Sequence, residues 1–469
     1  MSKSKTKGLF AAKDERDVPC SHVIRVAFES AADMEFDYLV PDAIWPIQAG
    51  QRVEAPFGKA DKLEKGFCVE ADVPPERAFG SEDRGIRLKR IERAVSEAPL
   101  LDVNLMELAK WISDYYVCPL GQVLAAMVPA AVKRKIGLKT QRCVHLTIKE
   151  ADIDKTLADL KGDKQKRIIT RLRDEKAFDS DSAADLQEIL KAVRCTAAPM
   201  KRLAESQIVA ITEKTILQSL PAIPPGMGMH AEPHVILNED QKKALDSILA
   251  RMESGQFGVT LLYGVTDSGK TELYMRAIQA VLRKGKSAIV LLPEIALTAQ
   301  TVQRFNARFA RVAVMHSGLS AAQRNVQWQK IKSGEADVVI GARSAVFAPV
   351  ANLGLIVVDE EHESSYKQDT APRYNGRDVA IKRAQLADAH CILGSATPSL
   401  EMLANCQSKT HFHLVRLPKR VMDLPMPQMR LVDMTQTSIS HKSINLMSEP
   451  LAAHLRLTLE KREQAIFLL

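Results

Sequence analysis

The chain has 469 residues, of which 46% are hydrophobic and 26% are charged, a composition typical of a globular protein with about three domains. No run of about 18 apolar residues occurs, so the sequence predicts no membrane-spanning helix. Its seven cysteines are scattered, which excludes a CxxC-type zinc site made by this chain alone and gives no disulfide framework. The basic N-terminus lacks the apolar core of a secretory signal, so we expect a cytoplasmic protein with a disordered tail at residues 1–21.

The net charge of +8 fits a polyanionic partner but does not require one. Between residues 131 and 148 the chain carries basic residues and no acid: Lys133, Arg134, Lys135, Lys139 and Arg142. Such a run is often a solvated face. A nucleic-acid-binding surface is the alternative, and the sequence leaves both open.

Residues 22–130 predict a small β-rich domain. Apolar and polar residues alternate in the short runs HVIRVAF, FDYLVP, QRVEAPFG and KGFCVEAD, which Pro and Gly separate, as in strands joined by turns. The stretch LDVNLMELAKWISDYY has apolar residues at helical spacing and therefore predicts a helix that closes the domain.

Residues 131–217 predict a second small domain. The strand-like runs CVHLTI and IVAIT flank three helical patterns, KQKRIITRLRDEK, ADLQEILKAVRC and PMKRLAESQ. This order suggests a winged-helix DNA-binding domain, in which one helix could enter a major groove. Small helical linker domains share the pattern.

Residues 218–234 are rich in Pro and Gly and are predicted to form a linker, after which β and α patterns alternate over residues 235–434. The strands are continuous apolar runs, which is typical of a parallel sheet covered by helices on both faces. We therefore predict a doubly wound α/β domain with strands at residues 259–264, 287–292, 312–316, 336–341, 354–359 and 390–394.

A phosphate-binding P-loop is predicted directly after the first of these strands, where GVTDSGKT leads into a helical pattern. Glycines let backbone N–H groups face phosphate, and the helix adds the positive end of its dipole. Lys270 is expected to reach the β- and γ-phosphates, and Thr271 to ligate Mg²⁺. The predicted nucleotide-binding residues of the loop are Gly264, Val265, Thr266, Asp267, Ser268, Gly269, Lys270 and Thr271.

Asp267 is an unusual residue inside this loop, because a carboxylate about 4 Å from a phosphate is repelled by about 4 kcal/mol at an effective dielectric of ~20. Translational GTPases carry Asp at this point and direct it away from the phosphates. Either the substitution is tolerated or it weakens ATP binding. An Asp267→Gly variant with unchanged nucleotide affinity would exclude the second interpretation.

The second half of the predicted nucleotide site is LIVVDEEH, a buried strand that ends in acids. Asp359 is expected to hold Mg²⁺ through its water shell, and Glu360 to act as the general base that orients the attacking water. Two acids at the end of a buried strand would be costly without a cation. Gln241, before the loop, could read the adenine edge, although a Gln at a helix start is also an ordinary polar residue.

Further polar residues follow strands of the predicted sheet, where open parallel sheets bind ligands. In GARSAVFAP, Arg343 is expected to meet a backbone phosphate of a nucleic acid. In GSATPS, Ser395 and Thr397 are hydroxyl groups placed to sense whether the γ-phosphate is present.

The stretches LNEDQKKAL, GVTDSGKTELY, LLPEIALTAQT, HSGLS, GARSAVFAP, DEEHESSYKQ, PRYNGRDVA and GSATPSLE resemble, in order and spacing, the replication-restart DNA helicases of superfamily 2, the family of primosomal protein N′. The resemblance implies a RecA-like helicase lobe at residues 235–434, with ATP and Mg²⁺ as cofactors. It also implies an ATP-dependent 3′→5′ DNA helicase that recognises stalled or repaired forks and restarts replication by primosome assembly. The implied partners are forked DNA, 3′ ends, single strands, and primosome and single-strand-binding proteins, with no membrane.

Residues 22–130 look like the 3′-end DNA-binding domain of that family. The resemblance implies a pocket for the 3′-OH of a nascent strand, lined by Phe36, Asp37, Tyr38, Gly58 and Lys89. An aromatic ring can stack on a terminal base, a carboxylate can accept from the hydroxyl, and a lysine can meet a phosphate. On pattern alone, Phe36 and Tyr38 alternate with Asp37 as ordinary strand residues would.

SYKQDTAPRYNGRD resembles the aromatic-rich loop of the family, which couples single-strand contact to hydrolysis. The expected roles are stacking on bases for Tyr366 and Tyr374, and contact with phosphates for Lys367, Arg373 and Arg377. His362 would relay between this loop and the nucleotide site, although a His at that position could equally be a buried hydrogen-bonding residue.

The family continues beyond the end of this sequence with a second motor lobe, a cysteine-rich zinc module and a C-terminal domain. Residues 435–469 are therefore expected to begin the second lobe and to stop within its first strand, with no zinc site in this chain. An arginine supplied across the cleft contributes about 10³–10⁵ in rate in related enzymes, so we expect this chain to bind DNA and ATP but scarcely to hydrolyse or unwind. Two alternatives are a fork-binding adaptor that does not hydrolyse ATP and, less compatible with the N-terminal domain, a generic superfamily 2 ATPase of restriction or repair systems.

Overall fold

The computed structural model describes residues 19–30, 32–74, 77, 88–134, 136, 138–179, 182–217, 235–421, 428–434 and 447–467. The predicted linker at 218–234 and nearly all of the predicted tail lie outside these residues. The chain divides into two compact units, residues 1–419 and 420–469.

The first unit begins with an antiparallel five-stranded sheet of order β2-β1-β4-β3-β5. Alternate residues of its strands, such as Ile24, Val26 and Phe28, are buried against the core of this domain. Three helices follow, as the helical spacing of residues 101–116 predicts for the first. The elements are β1 (His22–Phe28), β2 (Phe36–Val40), β3 (Arg52–Phe57), β4 (Lys62–Glu70), β5 (Arg93–Ala94), α1 (Val103–Tyr115), α2 (Leu120–Met127) and α3 (Ala130–Lys133).

A three-stranded antiparallel sheet of order β7-β6-β8 comes next. Its helices α5, α6 and α7 correspond to the three predicted helical patterns and share one apolar core; the winged-helix interpretation stays a prediction. Helix α4 was not predicted. The elements are β6 (Leu138–Leu146), α4 (Ile153–Asp159), α5 (Asp163–Asp174), β7 (Ala184–Asp185), α6 (Leu186–Val193), α7 (Ala197–Glu205) and β8 (Val209–Leu217).

The rest of the first unit is built on a parallel seven-stranded sheet of order β11-β12-β10-β13-β14-β9-β15. All six predicted strands are present, and β15 is an additional edge strand beside β9. The strands are β9 (Gly258–Gly264), β10 (Ser287–Leu291), β11 (Val312–Met315), β12 (Val338–Gly341), β13 (Leu353–Val358), β14 (His390–Ser395) and β15 (Phe412–Leu417).

Helices cover both faces of this sheet, so successive strand residues enter two different cores. Ile289 and Leu291 pack in one core, and Ala288 and Val290 in the other. This confirms the doubly wound α/β prediction. The helices are α8 (Glu239–Glu253), α9 (Lys270–Arg283), α10 (Ala299–Arg308), α11 (Ala321–Lys332), α12 (Gly376–Leu386) and α13 (Leu400–Ser408).

The helices that follow the N-terminal sheet pack directly on the parallel-sheet domain. Leu108 and Ile112 of α1 share an apolar core with Val379 and Ala384 of α12. At another point of this contact, the buried side chain of Asn325 donates from Nδ2 to the carbonyl of Ile136 at 2.8 Å. The N-terminal domain and the parallel-sheet domain therefore share buried apolar surface.

In the second unit, the described residues include helix α14 (Glu449–Glu460). Ser448 caps its N-terminus, because its Oγ accepts from the backbone N–H of Leu451 at 3.3 Å. The sequence predicted a strand at residues 464–469. The described part of that segment, residues 464–467, is neither helix nor strand, so the prediction is wrong there; a strand needs a partner for its backbone hydrogen bonds.

No helix among the described residues is both long enough and apolar enough to span a membrane. The seven cysteines all lie within the described ranges and are free thiols.

Candidate nucleotide and DNA sites

The predicted P-loop lies between the end of β9 and the start of α9. Gly269 adopts a φ of +85°, a left-handed conformation that favours glycine. The buried Lys270 turns back over the loop, and its Nζ donates to the carbonyl of Gly264 at 2.8 Å. Ser268 is buried, whereas Val265 and Thr271 are half-buried and Thr266 is exposed. The loop backbone, the lysine and the start of α9 therefore all lie at the carboxyl end of β9.

Asp267 also has a left-handed backbone, with a φ of +61°. Asp and Asn adopt this conformation more readily than other residues with a side chain, and the carboxylate is exposed. The backbone thus gives a physical reason for an Asp where Gly would fit most easily. Its effect on ATP affinity stays a prediction.

Gln241 is buried, and its side chain is hydrogen-bonded to the P-loop. Its Nε2 donates to the carbonyl of Ser268 at 3.0 Å, and its Oε1 accepts from the backbone N–H of Asn238 at 3.0 Å, as part of a capping box at the start of α8. Both ends of the amide therefore bind protein groups, and the reading of the adenine edge by Gln241 stays a prediction. One N–H of the amide is left to meet a base.

Asp359 directly follows β13, and β14 separates that strand from β9 and its P-loop. Its Oδ1 accepts a hydrogen bond from the hydroxyl of the buried Tyr274, at 2.9 Å. Burial raises the pKa of the Asp359 carboxyl above its ordinary value, and the charge of Glu360 adds to this. The hydrogen bond from Tyr274 and the positive charge of Lys270 lower the same pKa, so both stabilise the charged form that Mg²⁺ requires.

Glu360 and His362 flank the buried Glu361. Glu360 has a φ of +45° and a side chain that is 37% exposed, within 3.8 Å of Nδ1 of His362. The His362 ring joins the end of β14, with Nδ1 2.8 Å from Oγ of Ser395 and Nε2 3.3 Å from Oγ1 of Thr397. The structure therefore brings together the predicted base, the predicted relay and both predicted sensor hydroxyls.

The two sensor hydroxyls differ in access. Ser395 is fully buried and accepts from the backbone N–H of Thr397 at 3.0 Å; its role as a sensor of the γ-phosphate stays a prediction. Thr397 is exposed. Ser395 can act only through His362 or Thr397.

Glu361 forms a buried cluster that the sequence did not predict. Its carboxylate accepts from Arg377 at 2.9 Å, and from the backbone N–H and Oγ of Ser399 at 2.7 and 3.0 Å. The Glu361 side chain is 0% exposed. The only signal in the sequence is the third acid of the DEEH run, which lies between two residues with assigned roles.

Arg377 is consequently not available as the predicted phosphate contact, because its guanidinium is bound to Glu361 and Asp378. Arg343 is not free either: its NH1 donates to the carbonyls of Ser365, at 3.0 Å, and Lys367. Both predictions are corrected for the same reason, since each guanidinium already donates to oxygen atoms of the protein.

Tyr366 and Tyr374 are each 1% exposed, so neither ring can stack on a base in this conformation. The hydroxyl of Tyr366 lies 2.7 Å from the carbonyl of Asp359, and Tyr374 packs edge-on against Phe347. Both rings are parts of the protein core, which corrects the stacking prediction.

Lys367 and Arg373, in contrast, are exposed. The Nζ of Lys367 donates to the carbonyl of Arg373 at 2.6 Å, so the two residues lie close together in the loop. The exposure of these two side chains is compatible with the predicted phosphate contacts, which stay a prediction.

In the N-terminal sheet, Asp37 pairs with Arg25 on the neighbouring strand at 2.9 Å. Tyr38 is 4% exposed, and its hydroxyl donates to the carbonyl of Pro56 at 2.9 Å. The strand alternation therefore describes Asp37 and Tyr38 better than a shared open pocket does, because their side chains lie on opposite faces of the sheet. Phe36 lies on the same face as Tyr38 and contacts Phe57.

Gly58 and Lys89 are exposed and lie together. The Nζ of Lys89 donates to the carbonyl of Gly58 at 2.8 Å and pairs with Asp61 at 2.5 Å. In the basic segment at residues 131–148, Lys133 is bound to Glu29 at 3.1 Å, so it does not contribute to a free basic surface. Arg134 and Arg142 are exposed.

A parallel sheet with a Gly-Lys-Thr loop after one strand and an Asp-Glu pair after another defines a RecA-like P-loop lobe of the helicase type. Residues 238–405 match the family model of the DEAD/DEAH box helicase, and residues 25–129 match that of the 3′DNA-binding domain (3′BD).

Over 93% of its length the chain is 35% identical to the replication restart protein PriA of Bacillus subtilis (strain 168). It is 34% identical over 95% of its length to the replication restart protein PriA of Haemophilus influenzae, and 41% identical over 60% to that of Synechocystis sp.. The chain is thus similar to PriA replication restart proteins over most of its own length. These matches cover 60%, 58% and 34% of the relatives' own lengths.

Proposed function

We propose that this chain forms the DNA-binding part and the first motor lobe of an ATP-dependent 3′→5′ DNA helicase. The helicase recognises stalled or repaired replication forks and restarts replication through primosome assembly. One observation carries the proposal. The P-loop lysine, the Asp359 carboxylate and the Glu360–His362 pair lie together at the carboxyl edge of a single parallel sheet.

The residues at this edge fit a bound Mg²⁺–ATP. Thr271 offers a hydroxyl and Asp359 a carboxylate, which are the hard oxygen donors that Mg²⁺ prefers. When bound, Mg²⁺ neutralises charge that develops on the phosphates. Lys270 and the start of α9 favour negative charge at the same place.

The residues after Asp359 supply the proton chemistry. Glu360 is partly exposed and is proposed to orient and deprotonate the attacking water. His362 contacts Glu360 and Ser395 through Nδ1 and Thr397 through Nε2, so it is proposed to report the state of the nucleotide to the Ser395–Thr397 turn.

The proposed DNA contacts lie on two exposed surfaces. Lys89 and Gly58 belong to the region that matches the 3′DNA-binding domain, and are proposed to receive a 3′ end with Phe36 beside them. Lys367 and Arg373 are proposed to contact the phosphates of a single strand. Primosome and single-strand-binding proteins are proposed as partners from the family resemblance.

The nucleotide part of this proposal is tested by titrating a fluorescent ATP analogue into the chain with and without Mg²⁺. We expect Mg²⁺-dependent binding that Lys270→Ala abolishes and that Lys284→Ala, at the far end of α9, leaves unchanged. Absence of binding in the wild-type chain would contradict the proposal and favour the non-hydrolysing fork-binding adaptor.

The DNA part is tested with forks whose 3′ end carries either a hydroxyl or a phosphate. We expect tighter binding to the hydroxyl-ended fork. Equal affinity for both forks would show that the chain does not recognise a 3′ end. ATP turnover with and without single-stranded DNA then separates a motor from an adaptor.

A further inference from the structure

Tyr116 connects the 3′ DNA-binding region to the loop between Tyr366 and Arg377. It ends helix α1, where its backbone N–H donates to the carbonyl of Ile112 at 3.0 Å. Its hydroxyl accepts from the backbone N–H of Asn375 at 3.1 Å. Asn375 is the capping residue at the start of α12, and its own Oδ1 accepts from the backbone N–H of Arg377 at 3.0 Å.

A second contact joins Tyr116 to the same loop. The ammonium of Lys367 lies 5.2 Å from the centre of the Tyr116 ring, a distance at which a cation is attracted to an aromatic face. Lys367 and Asn375 are paired across the loop as a β-bridge. The Tyr116 side chain therefore contacts both strands at the base of this hairpin, one through its hydroxyl and the other through its ring.

Beyond Tyr116, the loop contacts the nucleotide site at two places. The hydroxyl of Tyr366 lies 2.7 Å from the carbonyl of Asp359. Arg377 holds the fully buried carboxylate of Glu361, two residues after the proposed magnesium ligand. A displacement of the hairpin would therefore disturb the backbone of Asp359 and the carboxylate of Glu361, the residues on either side of Glu360.

We propose that Tyr116 is a positioning residue through which DNA bound to the 3′ DNA-binding region strengthens Mg²⁺–ATP binding in the parallel-sheet lobe. The inference rests on the proposed function, since it requires that the chain bind both ligands. Tyr116 touches neither ligand; it acts by holding the hairpin that supports Asp359 and Glu361. Burial raises the pKa of Tyr116 to about 12, so its hydroxyl stays neutral at physiological pH.

The coupling must be reciprocal: if DNA strengthens the binding of Mg²⁺–ATP, then Mg²⁺–ATP must strengthen the binding of DNA by the same factor. The dissociation constant of a fluorescent ATP analogue with Mg²⁺ is measured without DNA and with a saturating 3′-hydroxyl fork. The reverse titration measures fork affinity with and without the nucleotide. In the wild-type chain we expect both ratios to be about five-fold or more.

The variant Tyr116→Phe keeps the ring below Lys367 and removes only the acceptor for Asn375. We expect it to bind each ligand alone within about two-fold of the wild type, while the ratio falls toward one; a purely structural role would weaken both separate affinities or the thermal stability instead. The matched control is Tyr115→Phe, since Tyr115 is 61% exposed on the same helix, and it should keep the wild-type ratio.

An unchanged ratio in Tyr116→Phe overturns the inference, and so does a wild-type ratio of one in a chain that binds both ligands; either result leaves the proposed function intact. A wild-type chain that binds no nucleotide overturns the proposed function and this inference together.

Discussion

The hydroxyl of Tyr274 lies 2.9 Å from Oδ1 of Asp359 and donates a hydrogen bond to it, although 85 residues separate the two in sequence. Tyr274 is one helical turn after Lys270, so one helix positions both the phosphate-binding lysine and the support of the magnesium-binding carboxylate. The Tyr274 hydroxyl is itself buried, and burial together with the charge of Asp359 raises its pKa well above the ordinary value. It is therefore a permanent donor to Asp359 at physiological pH.

Tyr274→Phe should weaken Mg²⁺–ATP binding and move its pH dependence upward. The hydrogen bond lowers the pKa of Asp359, so its loss raises that pKa further and a higher pH is needed to ionise the carboxylate. A hydrogen bond to a charged group contributes about 1.5–3 kcal/mol, which corresponds to about ten-fold or more in affinity at the acid end of the profile. The measurement is the Mg²⁺-dependent dissociation constant of a fluorescent ATP analogue as a function of pH.

Tyr263→Phe, in strand β9, is the control for Tyr274→Phe, since it also removes one phenolic hydroxyl from the lobe but not the one that contacts Asp359. Its pH profile should match that of the wild type. A downward shift of the profile in Tyr274→Phe, or no shift, would contradict the proposed support of Asp359.

Gly394→Ala should damage the same site by sterics. A β-carbon at Gly394 would lie 1.5 Å from the hydroxyl oxygen of Tyr274 and 3.1 Å from Oδ1 of Asp359, so the tyrosine must move. We expect overpacking to destabilise the lobe by about 1–3 kcal/mol and Mg²⁺–ATP binding to fall at least as far as in Tyr274→Phe. Thermal unfolding and nucleotide titration measure the two effects.

Gly334→Ala provides the comparison for Gly394→Ala, because Gly334 has a φ of +75° and open space around it. We expect it to cost about 1–2 kcal/mol through backbone strain without changing nucleotide affinity. Equal nucleotide affinity in Gly394→Ala and the wild type would show that the Tyr274–Asp359 contact is dispensable.

Local patterns in the sequence were sufficient to predict the sheet and the P-loop. Each of the six predicted strands is an unbroken apolar run, and the loop residues from Gly264 to Thr271 are consecutive, so their signal needs no tertiary information. Strand β15 was missed because it follows a short helix outside the motif series, and only its pairing with β9 shows it to be part of the sheet.

Side-chain direction could not be predicted from the sequence. Tyr366 and Tyr374 lie in a polar loop with basic neighbours, a composition that favours stacking on bases, yet both rings enter the protein core. Tyr274 is the opposite case, a residue that looks structural in the sequence but contacts the candidate site. A tyrosine in an apolar helix pattern resembles an ordinary core residue, and only the fold brings it to Asp359. The hydroxyl of Tyr366 donates to the carbonyl of Leu291 in β10, 75 residues away, and that of Tyr274 to Asp359, 85 residues away, so no local pattern shows either contact.

Arg377→Met should destabilise the parallel-sheet lobe, because it leaves the Glu361 carboxylate buried without its cation. Breaking a buried ion pair in this way costs about 3–5 kcal/mol, and we expect the lower end because Ser399 still donates two hydrogen bonds to Glu361. The apparent melting temperature should fall by about 6–12 °C for a domain of this size. Thermal unfolding followed by circular dichroism measures the change.

The double variant Glu361→Met/Arg377→Met should recover most of that stability, since it removes both charges from the buried cluster. Arg373→Met is the matched control, because Arg373 is exposed in the same loop, and it should unfold like the wild type. If Arg377→Met and Arg373→Met have the same melting temperature, the buried Glu361–Arg377 pair does not stabilise the lobe.

Lys89→Ala should weaken binding to 3′-ended DNA to a similar degree for all base sequences. Lys89 is exposed beside Gly58, and a lysine that meets one phosphate contributes counterion release but no base recognition. The plot of log affinity against log salt concentration should therefore lose about one unit of slope. Fluorescence anisotropy with a labelled fork over a series of salt concentrations gives both the affinity and the slope.

Lys110→Ala is the control for Lys89→Ala. It removes a lysine that pairs with Glu107 on helix α1 and should keep the wild-type slope. If Lys89→Ala keeps it too, Lys89 is an ion-pair partner of Asp61 rather than a DNA contact.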